Sequence, residues 1–292
     1  MKLVSLIDLL LDTPPRKVYQ ALLKRILAKD SLTEFNDTQP CIFVLSTGRV
    51  GSMTLAALLN YTDNLISWHE PKPILYPASK AAYQSLSDIH TDAWNKVFMC
   101  LRKERFDNSL KLGRGYVETS PQATFLAPVI AKAISNVKFI YLVRHPAAVI
   151  RSGMRRNWYA GHQADENRIT PRLDSDLYGQ WQEMTQFQKN AWLWAETNRW
   201  ILEFLVTIPD NRKFTLHSED LYLGQLPALS ALFEFCGSTM PCSKKIEKVL
   251  SLKMNNQKIG EYPEFEKWSP EELKQLQLII GNLANRLGYE LF

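Results

Sequence analysis

Two glycines with an arginine between them, Gly48-Arg49-Val50-Gly51, sit inside the stretch Ser46-Thr47-Gly48-Arg49-Val50-Gly51-Ser52, which Met53 and Thr54 follow. Upstream, Cys41 to Leu45 is an apolar, β-branched run; downstream, Leu55, Leu58 and Leu59 take up helical spacing. The pattern predicts a buried strand, a glycine-bearing loop and a helix start. Such a turn presents backbone N–H groups and the positive end of a helix dipole, so its natural guest is an anion, and a phosphorylated one above all. It is not a Walker A loop, which has four residues between its glycines and a Lys-Ser/Thr directly after the second.

A second stretch, Val137 to Gly153, has the same grammar. A buried strand from Phe139 to Val143 ends at Arg144, and a helix begins near Pro146, where proline is tolerated. Ser152 lies eight residues beyond Arg144, about two turns into that helix. Ligands of parallel α/β sheets bind at the carboxyl ends of strands, so a guanidinium and a hydroxyl here would suit a second phosphate.

The rest of the chain must position these groups. With 292 residues, 46% of them hydrophobic and 22% charged, it can bury a large core and reads as one domain over 1–292, with a helical extension over 1–39 and an α/β core over 40–292. The net charge of +5 suits an anionic ligand, but no Lys/Arg tract argues for nucleic acid. The four cysteines (Cys41, Cys100, Cys236, Cys242) are few, which points to free thiols in a reducing, cytoplasmic setting. Cys236 and Cys242 have no nearby His, and no metal is expected.

Leu3, Leu6, Ile7 and Leu10, and then Lys17 to Ala28, predict two amphipathic helices, either a hairpin packed on its own domain or a surface for a membrane or partner protein. No run is long enough to span a bilayer, and Asp8 and Asp12 argue against a signal peptide. Further strands are expected at Asn64 to Pro71, Tyr116 to Thr119 and Lys213 to His217, and helices at Tyr76 to Ser87, Pro121 to Ser135, Tyr178 to Val206 and over Gln225 to Phe292, interrupted at 253–263 and restarting at Ser269. Arg102-Lys-Glu-Arg105 reads as a solvated charged turn, and 160–176 as a mobile loop that gates the acceptor. The four tryptophans of the long helix (Trp181, Trp192, Trp194, Trp200) read as core. Trp94, Arg102 and Arg105 are candidates for an acceptor wall.

Together, Thr47-Gly-Arg-Val-Gly-Ser52 and Val143-Arg-His-Pro146 with Ser152 resemble the sulfotransferase family, whose donor is 3′-phosphoadenosine 5′-phosphosulfate (PAPS). Supporting pieces occur in the family's order: Glu118-Thr-Ser-Pro121, the Trp194/Asn198 pair, Glu219-Asp-Leu221 and Leu287-Gly-Tyr289. The resemblance implies a three-layer, P-loop-like α/β fold with a central parallel sheet flanked by helices and with helical N- and C-terminal additions. It implies that the first loop (Thr47, Gly48, Arg49, Val50, Gly51, Ser52, Met53, Thr54) holds the 5′-phosphosulfate and that Arg144 and Ser152 hold the 3′-phosphate. The glycine-bearing interruption resembles the family's cover over the nucleotide, which assigns Lys258 to the 3′-phosphate. The chain departs from the family's pattern at Val50 and Met53, where hydroxyl residues are usual, at His145 in place of Asp, and at Ser218 in place of an aromatic.

Sulfuryl transfer to a hydroxyl-bearing acceptor (carbohydrate, lipid or small metabolite) needs a base for the acceptor proton and positive charge over the oxygens. Arg49 suits the bridging oxygen. The base is expected at the end of the second strand, in His69-Glu70-Pro71; several carbohydrate-directed sulfotransferases resemble this Glu-Pro arrangement, which favours Glu70, with His69 as rival. Strand alternation would turn the two to opposite faces. Two alternatives stay open: a P-loop small-molecule kinase, disfavoured by the missing Walker Lys, and a non-catalytic nucleotide-binding scaffold.

Overall fold

The structure is a computed structural model that describes residues 35–85, 92–252 and 260–291. The predicted helices of the first 34 residues, and Lys258, lie outside the described residues. Five strands form one parallel sheet: β1 Cys41–Leu45, β2 Leu65–Trp68, β3 Gly115–Glu118, β4 Lys138–Val143 and β5 Lys213–His217, in the order β2-β3-β1-β4-β5. Position in the sheet explains composition. The inner strands β1, β3 and β4 are buried almost throughout, whereas the edge strands β2 and β5 alternate or are half-open.

The chain builds β2 and β3 on one side of β1 and then crosses to build β4 and β5 on the other, which puts a topological switch at the carboxyl end of β1. The predicted anion loop follows β1 there. β3 lies between β1 and β2, so the second strand of the sequence is an edge strand and does not neighbour the first.

Helices flank the sheet: α1 Ser52–Leu59, α2 Tyr76–Gln84, α3 Asp92–Lys111, α4 Ala127–Ala133, α5 Pro146–Met154, α6 Gln186–Val206, α7 Ser218–Leu223, α8 Leu226–Phe235, α9 Ser243–Ser251 and α10 Pro270–Arg286. α5 packs on α6 and α6 on α10, while α1 meets α9 and α3 meets β3 and α4. As the sequence predicts, Pro146 opens α5, and Ser269 caps α10 in a box with Glu272, with Pro270 first in the helix.

Several boundaries differ, each for a local reason. The long aromatic helix starts at Gln186 instead of Tyr178, because Thr185 and Gln188 form a capping box that fixes its first turn. Ser120 accepts from Gln122 N and starts a 3₁₀ turn over Pro121–Leu126, so the α-helix begins only at Ala127. Arg102-Lys-Glu-Arg105 is no solvated turn: it lies in the 20-residue α3, and Arg102 is wholly buried in a two-pronged ion pair with Glu118 of β3 (Nε–Oε2 2.7 Å, Nη2–Oε1 3.0 Å). Trp94 is buried as well, and Arg105 stacks over Trp68 at 4.4 Å and donates to Lys72 O, so none of the three forms an acceptor wall. Trp181, Trp192 and Trp194 are buried in the core, as expected.

The loop after α5 is tied down from within. Asp165 accepts from Gly161 N, His162 N and Arg168 Nε, Tyr159 donates to Ile169 O, and Arg168 stacks on Trp158 at 4.1 Å. All four cysteines are free thiols. Among the described residues no helix is long and apolar enough to cross a membrane, and no group of three His, Cys, Asp or Glu comes together.

Candidate active site

The loop after β1 is anchored first. Ser46 N donates to Thr124 Oγ1 at 3.0 Å and the same hydroxyl donates back to Ser46 O at 3.0 Å. The chain then passes through the left-handed region at Gly48 (φ 80°), Arg49 (φ 62°) and Gly51 (φ 91°). Arg49 bears this conformation with a side chain, and such strain persists only where the surroundings fix it, characteristically at functional sites. Gly51 precedes α1 without a side-chain cap, and the first-turn N–H groups of the helix have no partner within it. Gly51, Ser52, Met53 and Thr54 instead line a cavity of about 250 Å³. Val50 is not among the residues that line it. Its side chain is buried, and its carbonyl accepts from Ser218 Oγ at 2.5 Å, so Ser218 braces the loop.

The carboxyl end of β4 meets this loop directly. Arg144 donates through Nη1 to Arg49 O at 2.9 Å and lies over the Tyr222 ring at 5.4 Å, while Trp194 Nε1 donates to Arg144 O at 3.0 Å. Arg49 Nε donates to Ser152 Oγ at 3.0 Å, so the two stretches singled out in the sequence are joined by two hydrogen bonds. Burial first, and then the nearby Arg156 and Arg144, press the Arg49 pKa down to about 10, still protonated at neutral pH. Crowded, half-desolvated guanidiniums of this kind are relieved by an anion.

His145 caps α5: its Nδ1 accepts from Ala147 N at 3.3 Å, and its Nε2 lies 3.3 Å from Glu290 O. This is the work a short carboxylate does at a helix start, which explains why histidine is tolerated there. The backbone N–H of His145 donates to Glu219 Oε1, and Tyr289 Oη donates to Glu219 Oε2, each at 3.0 Å. The Glu-Asp-Leu and Leu-Gly-Tyr pieces of the sequence therefore meet behind the start of α5.

β2 ends at Trp68, so strand alternation does not govern His69 and Glu70. Glu70 is left-handed (φ 47°), and both side chains line the loop cavity. His69 Nδ1 lies 2.9 Å from Thr119 O and 3.1 Å from Thr119 Oγ1. Glu70 Oε1 accepts from Tyr76 Oη at 3.0 Å, and burial followed by the Glu70 charge keeps that phenol protonated by raising its pKa well above the usual range. Glu70 also lines a second cavity of about 330 Å³, which shares Thr47, Arg49, Tyr76, Trp158 and Arg168 with the first. A carboxylate and a guanidinium thus stand where two cavities meet.

The model of the sulfotransferase family matches residues 40–241, well over half of the chain. The chain belongs to the sulfotransferase family. That membership sets the kinase alternative aside. Among solved structures, the sulfotransferase domain from the curacin biosynthetic pathway is similar at a TM-score of 0.54 and 20% identity, covering 87% of this chain and 99% of that one. The sulfotransferase domain of the Synechococcus PCC 7002 olefin synthase gives 0.52 and 17%, covering 90% and 99%. A sulfotransferase from Mycobacterium tuberculosis H37Rv gives 0.50 and 12%, covering 92% and 80%. At these identities the structures show the shared fold. A search of curated proteins finds no match.

Four side chains at the site of this sulfotransferase escaped the sequence reading. Tyr76 holds Glu70, Tyr222 packs on Gly51 and under Arg144, and Arg156 and Arg168 charge the cavity walls. Arg168 sits in a stretch without periodicity, and Tyr222 is separated by 171 positions from the glycine it touches, so neither left a local signal. Arg156 alone had one, its place just beyond the Ser152 helix.

Proposed function

We propose that this sulfotransferase draws its sulfuryl group from PAPS and passes it to an acceptor hydroxyl, with Glu70 as general base. The observation that carries the reading is that Glu70 and Arg49 line both the phosphate-loop cavity and the cavity beside it. The donor set fits the nucleotide: a left-handed glycine turn, an uncapped helix start, two buried hydroxyls (Ser52, Thr54) and two guanidiniums. When bound, PAPS supplies an activated sulfuryl group on a phosphate that can leave.

In this reading the loop N–H groups of residues 47–54 and the hydroxyls of Ser52 and Thr54 take the 5′-phosphosulfate, with Val50 and Met53 contributing backbone only. Arg144 and Ser152 take the 3′-phosphate. Ser152 Oγ already accepts from Arg49, so its own proton is left to donate to an anion. Lys258 is assigned to the same phosphate. Arg49, held by Ser152 through Nε, brings its guanidinium charge to the negative charge that builds on the bridging oxygen. Glu70, oriented through Oε1 by Tyr76, keeps Oε2 to receive the acceptor proton. His69, turned to Thr119, supports the wall. The test is incubation with labelled PAPS and a broad acceptor extract, with mass detection of products that gain a sulfate. Failure of the protein to bind PAPS would sink the reading.

A further inference from the structure

His69 is held by one side of its ring. Thr119 O lies 2.9 Å from its Nδ1, and Thr119 Oγ1 lies 3.1 Å from the same atom. A carbonyl oxygen only accepts, so Nδ1 carries a proton. The carbonyl is itself fixed in place, because Thr119 is fully buried and its N–H donates to Trp68 O at 2.9 Å. The contact therefore selects one tautomer. In the neutral ring Nε2 is a lone pair, and only the protonated ring has an N–H there.

The ring also takes one side of the site. His69 lines the phosphate-loop cavity and is not among the residues of the second, whereas Glu70 lines both. A base must reach the acceptor, which leaves that work to Glu70 and places His69 with the donor. The titratable groups that line the loop cavity with it are Arg49, Arg144, Arg168, Glu70, Tyr76 and Tyr222. Glu70 is the one carboxylate among them, and Tyr76 donates to it. A neutral imidazole would set its lone pair against the oxygens of a phosphate, acceptor against acceptor. Negative charge beside the ring favours the protonated form, which donates.

We propose that His69 is a catalytic residue that acts on the leaving group: as the donor binds, Nε2 takes a proton from solvent and donates a hydrogen bond to the 5′-phosphate. When the bond between sulfur and the bridging oxygen breaks, its electron pair stays on that phosphate and the proton stays on Nε2. The phosphate gains one negative charge in the step. The contact is thus stronger after the bond breaks than before, which is the condition for it to speed the reaction. Glu70 receives the acceptor's proton and His69 steadies the departing group, so neighbours in sequence serve opposite ends of the displacement. This deepens the sulfuryl-transfer reading and rests on PAPS as the donor.

The experiment is a proton NMR titration of the histidine rings in the full chain, free and saturated with 3′-phosphoadenosine 5′-phosphate, the product that carries the departed phosphate. The chain has five histidines, and His69→Gln identifies the His69 resonance by its loss. Should that variant not fold, His69→Asn, whose amide can keep a bond to Thr119, makes the assignment instead. The titration midpoint of His69 should rise by about one pH unit or more on saturation, as for an opposite charge within a few ångströms. Adenosine 3′-phosphate, which lacks the 5′-phosphate, should leave the midpoint where it was. An unmoved midpoint with the bisphosphate, or an equal rise with adenosine 3′-phosphate, overturns the proposal. The two readings fail differently: binding with an unmoved midpoint removes the role of His69 alone, whereas no binding at any pH removes the donor reading and this proposal with it.

Discussion

Replacing Glu118 by Gln would remove one charge from the centre of the sheet and leave its partner stranded. Arg102 and Glu118 are both fully buried, and the carboxylate also accepts from Tyr116 Oη at 2.7 Å. Burial, and next the carboxylate, hold that phenol protonated, so it too depends on Glu118. With no solvent to screen it, the uncompensated guanidinium should cost about 3–5 kcal/mol, the range measured when one partner of a buried pair is removed. Arg102→Met with Glu118→Leu removes both charges and with them the desolvation penalty and the attraction, so its cost should fall to about 1–3 kcal/mol, that of the Tyr116 hydroxyl left without its acceptor. The assay is urea unfolding of the two variants and the parent, extrapolated linearly to water.

The pair has a functional arm as well. Arg102 Nη1 donates to Pro73 O at 3.0 Å and Arg105 Nη2 donates to Lys72 O at 3.0 Å, so α3 grips the turn that follows Glu70. The double variant should therefore be more stable than the single one and keep its affinity for 3′-phosphoadenosine 5′-phosphate, yet lose turnover as the turn carrying Glu70 loosens. A single Glu118→Gln variant within about 1 kcal/mol of the parent would refute the reasoning, because no buried charge could then have been left unpaired.

Glu70→Gln preserves an acceptor for Tyr76 but cannot take a proton, so turnover should fall by about 10²–10⁴ with donor affinity nearly unchanged; steady-state kinetics showing full turnover would end its assignment as base. Arg144→Ala should act the other way, weakening donor affinity by about 1.5–3 kcal/mol in a calorimetric titration. Donor affinity should also depend on alkaline pH. An anion favours the charged form of Arg49 and raises its pKa from the free-state value of about 10, so affinity is full below that pH and declines as pH rises through it; titrations at pH 8 and above pH 10 that agree would contradict this.

What the sequence made legible is what short range controls. The central strands were visible because burial on both faces makes them continuous apolar runs, and the anion loop because glycine and arginine recur where the backbone must turn left-handed. Arg102 was misread because its compensating charge lies 16 residues away on another element, and a run of four charged or polar residues looks solvated to any local count. The opposite facing of His69 and Glu70 failed because the strand stops at Trp68, before either residue. The gate expected after α5 is held by Asp165, whose three bonds give polar residues internal order without any periodicity. Tyr76, Tyr222 and Thr197 reach the site from separate helices or their ends, where only the fold brings them together.

The brace from Ser218 to Val50 spans 168 positions of sequence, and that gives the site a history as well as a shape. β1 and its loop emerge ahead of the other strands, and β4 pairs with β1 some hundred residues later, but the hydroxyl that holds the loop follows β5, and the Tyr289 bond to Glu219 comes later still. A growing chain can thus have most of its sheet before it has a finished anion seat. The nucleotide would find a competent grip only after β5 and Ser218 have followed, so that donor binding reports completion of the sheet and its brace. Chains halted before Lys213 should fail to gain protease protection from 3′-phosphoadenosine 5′-phosphate, whereas the finished chain should gain it.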